Sequence, residues 1–143
     1  MTGERTGGTN TPMSVEKISP RPGASTPAVF ELSPEQSTDQ GEIEDLLDKA
    51  LGPERKTKPA HIFREGLRPI AELCMVARTG GAMTGMIRYS PVWIGEAKTP
   101  GLLLGPLAVD PSLRGVGIGI ELMTRTLDTA KQLGHRIVVL VGD

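Results

Sequence analysis

"LAVDPSLRGVGIGIELM", residues 107–123, decides the fold. It runs from an apolar stretch through a proline-marked loop to three glycines in five positions, Gly115, Gly117 and Gly119, and then into an amphipathic segment. Glycine is costly composition for the start of a helix, so the bare backbone calls for a reason. Helix N-termini carry unpaired N–H groups and the positive end of the helix dipole, and they bind phosphates. Glycines let such a group come close and permit turn geometries closed to other residues. Arg114 adds a full positive charge with a forked donor. Together these features describe a pyrophosphate cradle.

Two common nucleotide motifs fail on named residues. A G-x-G-x-x-G pattern from Gly115 needs glycine at 120, where Ile120 stands, and from Gly117 it needs glycine at 122, where Leu122 stands. The P-loop ending in Gly-Lys-Ser/Thr is absent. What remains is R-x-x-G-x-G, filled by Arg114, Gly117 and Gly119, between an apolar strand and an amphipathic helix.

Working outward toward the C-terminus, a long helix starts within the glycines and reaches about Leu133. Leu122, Met123, Leu127, Ala130 and Leu133 form its apolar stripe, and Gly134 caps it. "RIVVLV" (Arg136 to Val141) reads as a final strand. Toward the N-terminus, Leu102 to Val109 is a buried central strand. Pro106 inside it cannot donate a ladder hydrogen bond, which predicts a bulge or splayed pairing. Ile70 to Arg78 is a strand, Gly80-Gly81 a hairpin turn, and Ala82 to Tyr89 the return strand. Gly85 is a candidate bulge, and Pro91 ends or bends that strand. Asp39 and Glu42 have capping-box spacing. Ile43, Leu46, Leu47, Ala50 and Leu51 follow as one helix face, stopped by Gly52-Pro53. "ERKTK" (Glu54 to Lys58) is a polar, solvated connection, Pro59 opens a short second helix that Gly66 ends, and Ala28 to Leu32 is a short strand. This order is α+β or mixed α/β.

The 143 residues suggest one domain. Within residues 1–27, Gly, Pro, Ser and Thr make up 16 of 27 residues and only five are apolar. That composition predicts a disordered tail ahead of a domain over 28–143. A net charge of −1 excludes a whole-surface pull on nucleic acid or anionic membrane, so neither is an expected partner. Cys74 is the single cysteine, which leaves no internal disulfide. No signal-peptide core is present and no apolar run nears the roughly 20 residues that span a bilayer. A soluble, cytoplasmic protein is expected.

On the residues quoted above, the chain resembles the GNAT superfamily of N-acetyltransferases. "LGPERKTKPAHIFRE", "PIAELCMVAR", "GMIRYSPVWIG", "LLLGPLAV" and "LGHRIVVLVGD" extend the resemblance to the YhbS-like branch over roughly residues 28–143. The resemblance implies a mostly antiparallel sheet flanked by helices, with acetyl-CoA as co-substrate. It implies that the backbone of Arg114, Gly115, Val116, Gly117, Ile118 and Gly119 binds the CoA pyrophosphate, and that Leu107, Ala108 and Val109 pair with the pantetheine arm as if with another strand. Pro106 then suits a strand that need not pair continuously.

The implied reaction is direct transfer, in which a neutral amine of a small molecule or peptide attacks the thioester carbon and CoA thiolate leaves. A backbone N–H near Leu107 to Val109 would stabilise the oxyanion. The strand Leu102 to Val109 has no ionisable residue to serve as base, and the only tyrosine, Tyr89, reads as a half-buried strand aromatic. In the YhbS-like pattern a proline–tyrosine segment and more strand follow "VLVGD". The expectation is therefore a GNAT fold without its C-terminal helix and strands, with weak or no activity and Ile137–Val141 as an exposed edge. The alternatives are a catalytically deficient CoA-binding or interaction remnant, and a domain whose glycine loop binds nothing. A homodimer stays open as an assembly.

Of the remaining residues, His61 on the short helix reads as a surface histidine, with base or substrate contact as the other reading. His135 suits a helix C-terminus, Cys74 a small core position, Trp93 ordinary packing or the acceptor groove, and "RKTK" (55–58) a solvated loop or one that steers an anionic acceptor. Two histidines this far apart do not make a metal site.

Overall fold

In the computed structural model, residues 29–141 are described, together with the backbone of 16–18. Gly80 and Gly81 take φ of 59° and 87°, the positive values a two-residue hairpin turn requires. They join β3 (Met75–Thr79) to β4 (Ala82–Ile94). A second turn over Gly95–Lys98 joins β4 to β5 (Thr99–Val109). β2 (Phe30–Pro34) lies beyond β3, and β1 (Glu16–Ile18) beyond β2, all antiparallel. Three residues within the tail expected over 1–27 thus add as strand, and the rest of that expectation lies outside the described residues. β6 (Val138–Val139) pairs in parallel with Leu102 and Leu103 of β5.

α1 (Gln40–Leu51) and α3 (Ile118–Gln132) cover opposite faces of the sheet. Phe30, Leu32, Met75, Ala77, Ile87, Tyr89, Leu102 and Leu104 bury their side chains with Ile118, Leu122 and Ala130 of α3. Val76, Met83, Met86 and Ala108 bury theirs with Ile43, Leu46 and Leu47 of α1. Neighbouring strand residues divide between the two helices, as the period of two requires. The mixed α/β class expected from the sequence is the one observed. Among the described residues, no helix is long and apolar enough to cross a membrane.

Several local expectations change. Ile70 to Leu73 is not strand. Ala71–Leu73 makes one 3-10 turn, and the Ile70 N–H donates to Tyr89 O at 2.8 Å. β4 passes through Pro91 to Ile94. Past Ile87 its only strand partner among the described residues is β5. Tyr89 O faces the side away from β5, and Pro91, two residues on, turns its donorless nitrogen the same way. The expected capping box of Asp39 and Glu42 does not form. The Asp39 carboxylate accepts from Gln36 N–H at 2.8 Å and from Arg78 at 2.8 Å, and Glu42 also takes Arg78. The buried row of α3 is Ile118, Leu122, Thr126 and Ala130, while Leu127 and Leu133 are exposed. Thr126 replaces an apolar residue in that row because its hydroxyl meets Tyr89 Oη at 2.8 Å and Leu122 O at 2.6 Å. Of Arg136 to Val141, only Val138–Val139 pairs as strand.

Candidate functional site

The pairing of β5 with β4 slips by one residue at Pro106. Ile87 faces Leu107 and Tyr89 faces Leu104, so Arg88 alone stands opposite both Gly105 and Pro106. This is the expected bulge. It has a packing consequence, because Leu102 and Leu104 face α3 before it, and Leu107 and Val109 pack on that same side after it. The extra residue changes the parity, so an apolar face that would otherwise flip stays on the core.

Past Leu103 no strand pairs with the outer edge of β5 among the described residues. The Asp110 N–H donates to Thr84 O of β4 at 2.9 Å. Alternation then turns the backbone of Ala108 toward β4 and the N–H and C=O of Leu107 and Val109 toward the open edge. Of the three residues expected to pair with a pantetheine arm, Leu107 and Val109 present backbone groups there. Ala108 instead buries its side chain among α1 residues.

The loop after β5 is held by Asp110. Its carboxylate accepts from the Ser112 N–H at 2.9 Å and the Ser112 hydroxyl at 2.8 Å, and Lys49 lies 3.2 Å away. These contacts, the Ser112 N–H foremost, keep the carboxyl below the usual aspartate range. Gly115 and Gly117 have φ of 90° and 107°, in the region closed to most L-residues. Gly117 precedes the first residue of α3, and its carbonyl accepts the first helical bond, from Glu121 N–H at 3.0 Å. Among the described residues, the N–H groups of Gly117, Ile118, Gly119 and Ile120 have no backbone acceptor. Val116 N–H turns back to Leu113 O at 3.3 Å and Arg114 N–H to Pro111 O at 3.5 Å. Ile118 is buried and anchors the helix start in the core. The Arg114 guanidinium lies 3.4 Å from Ala50 O at the end of α1.

On the α1 side of the bulge lies a cavity of about 290 Å³. Gly105, Pro106, Arg88 and Ser90 form its floor, with Glu44 of α1, Arg55 and Lys58 of the following connection, and His61 and Arg64 of α2 (Pro59–Arg64) on its walls. A Cβ on Gly105 would lie 2.9 Å from Arg64 Nη1, so the guanidinium stands over the bulge. His61, read from sequence as a surface residue, is half-buried in this wall. Arg55, expected in a solvated connection, is buried because Glu44 and Asp48, one turn apart on α1, both accept from it. Arg88 holds Glu35 through two bonds of 3.0 and 2.8 Å. Sequence reasoning missed Arg64, Arg88 and Ser90, and the proline bulge was the one signal pointing to this floor.

Other candidates lie elsewhere. Tyr89 is fully buried on the α3 face, and burial pushes its hydroxyl up despite the bond to Thr126. Cys74 is buried, its thiol also pushed up by burial. Trp93, at 71% exposure, neither packs in the core nor lines the cavity. Among the described residues no group of His, Cys, Asp and Glu could hold a metal ion.

Residues 41–143 match the acetyltransferase (GNAT) family. A relative from Escherichia coli strain K12, named "uncharacterized N-acetyltransferase YhbS", is 30% identical over 102 residues, which are 71% of this chain and 60% of the relative. The chain therefore spans 60% of the length of the curated relatives it matches. The crystal structure of Escherichia coli YhbS in complex with CoA superposes with a TM-score of 0.67 at 27% identity, covering 84% of this chain and 66% of that one. A GNAT family acetyltransferase from Brucella melitensis, in complex with acetyl-CoA, gives 0.65 at 31% identity, covering 80% of this chain and 76% of that one.

Proposed function

The chain belongs to the GNAT acetyltransferase family, and on that premise we propose that it binds acetyl-CoA along the open edge of β5 and transfers the acetyl group to a primary amine of a small molecule or peptide. The observation that carries this reading is the adjacency of two sets of unused backbone groups. Leu107 and Val109 face the open edge, and a few residues on, the N–H groups of Gly117 to Ile120 open α3. The first set suits the amides of a pantetheine arm, and the second suits a pyrophosphate. Gly119 has no side chain between helix and ligand, and a Cβ there would meet only Val109 Cγ2 at 3.4 Å. The relatives solved with CoA and acetyl-CoA support the same ligand.

The co-substrate supplies a thioester, whose carbonyl carbon takes the amine lone pair as the C–S bond breaks. The thiolate leaves with the electron pair and gains a proton, as the amine nitrogen gives one up. The chain's part is to align and to polarise. The N–H groups at the free edge of β5 stabilise negative charge on the thioester oxygen, and the cavity under the bulge holds the amine. Neutral amine is the reactive form. Calorimetric titration of CoA tests the binding step. Thiol release from acetyl-CoA over a panel of amines tests the transfer, and also separates an active enzyme from a CoA-binding protein that does not turn over.

A further inference from the structure

α2 brings a cation to the strand bulge. Ala60 is buried and docks the helix. Arg64 follows one turn later on the same face, while Ile62 and Phe63 between them are exposed. The Arg64 head comes down on Gly105. A Cβ there would lie 2.9 Å from its Nη1, and a φ of 127° closes the position to most other residues as well. Glycine thus lets the guanidinium reach the backbone of β5 at the bulge. Arg64 is also engaged within the chain, and a guanidinium, with five N–H donors, serves more than one group.

On the acetyl-transfer reading above, on which this inference rests, the thioester falls at that bulge. The N–H groups that suit the pyrophosphate open α3, and the arm runs back from there along the free edge of β5, past Val109 and Leu107. From Val109 to Gly105 the strand covers roughly 13 Å at about 3.3 Å per residue, a length that an extended pantetheine arm spans. We infer that Arg64 is a catalytic residue of the transfer, its guanidinium facing the thioester and stabilising the negative charge that forms first on the oxygen and then on the sulfur. The amine lone pair forms the C–N bond, and the electrons of the broken C–S bond stay on sulfur. Arg64 keeps its own proton throughout, and the proton lost by nitrogen ends on sulfur. On the cavity side the same positive charge disfavours the ammonium form of the approaching amine. The other arginines of the wall have carboxylates beside them, Glu35 for Arg88 and both Glu44 and Asp48 for Arg55. Lys58, His61 and Glu65 complete the ionisable lining.

The test reads the thiol of bound CoA on the whole chain, and so needs no acceptor. Difference absorbance follows thiolate formation with pH, for CoA alone and for CoA held by excess protein. A facing guanidinium lowers the midpoint of the bound thiol by about one unit or more relative to free CoA. Most of that shift disappears in Arg64→Gln, and Arg64→Lys, which keeps the charge, retains part of it. Melting curves check the fold of each variant. The shift in the parent chain is read without any variant, so a misfolded Arg64→Gln does not remove the test. A bound thiol that titrates at or above the free one overturns the inference, and so does a lowered midpoint that folded Arg64→Gln leaves in place. Both results leave CoA binding intact. A protein that takes up no CoA overturns the acetyl-transfer reading as well.

Discussion

A Cβ placed on Gly85 of β4 would lie 2.6 Å from Ile118 Cγ2, the first residue of α3. The same glycine pairs in register with Val109, at the end of β5. One position thus sets the distance between the strand edge and the helix start, the two places with unused backbone groups. Gly85→Ala forces α3 outward. We expect a loss of about 1–3 kcal/mol of stability, read as a lower melting temperature, with weaker CoA binding in the fraction that stays folded. Unchanged melting would mean the helix has slack here.

Gly117→Ala probes the loop. At φ of 107° an alanine costs about 1–2 kcal/mol, and relief of that strain turns away the N–H groups that open α3. CoA affinity drops by tenfold or more on this account. Gly115→Ala, at φ of 90°, carries the same kind of strain although a Cβ there meets nothing within 4 Å, so CoA affinity falls in the same direction.

Asp110 gives the loop a pH dependence. Its folded carboxyl sits below the usual range, so it contributes stability that is present above the unfolded value and is lost as the pH falls through the folded one. Melting temperatures measured from about pH 6 down to pH 3 should decline less steeply in Asp110→Asn than in the parent chain. Some slope remains, because Arg78 lowers Glu42 in the same sense.

Tyr89→Phe separates core from chemistry. The change removes the 2.8 Å bond to Thr126, while Thr126 keeps its bond to Leu122 O. Expected is a destabilisation of about 0.5–1.5 kcal/mol with CoA affinity and acetyl transfer unchanged. A large fall in turnover at equal stability would give the tyrosine a part in the reaction that its buried position does not suggest.

Much of the fold was legible because it rests on local signals. Gly80-Gly81, the apolar face of Ile43 to Leu51 and the proline in Leu102 to Val109 each act within a few residues of themselves. The expected bulge at Pro106 is where the pairing slips. The misreadings came from partners that the local sequence pattern does not pair. Asp39 and Glu42 have helix-capping spacing, yet Arg78, more than thirty residues on, claims both. Arg55 looked solvated until α1 brought two carboxylates to it. Pro91 stays in a strand because, among the described residues, no strand pairs on the side its nitrogen faces. The cradle residues were legible as a motif, but the division between Ala108 and its neighbours needed the register. The cavity had no sequence signature beyond the proline bulge, because its floor and walls come from separate segments.

On the proposed function, the open edge of β5 and the start of α3 form one CoA site. Backbone-amide NMR of the full chain during a CoA titration tests it most directly. Saturable one-to-one shifts are expected, concentrated at Leu107, Val109 and Gly115 to Ile120, and clearly smaller in Gly117→Ala at a CoA concentration near the parent's dissociation constant. Shifts scattered over other surfaces, or none at millimolar CoA, would contradict it.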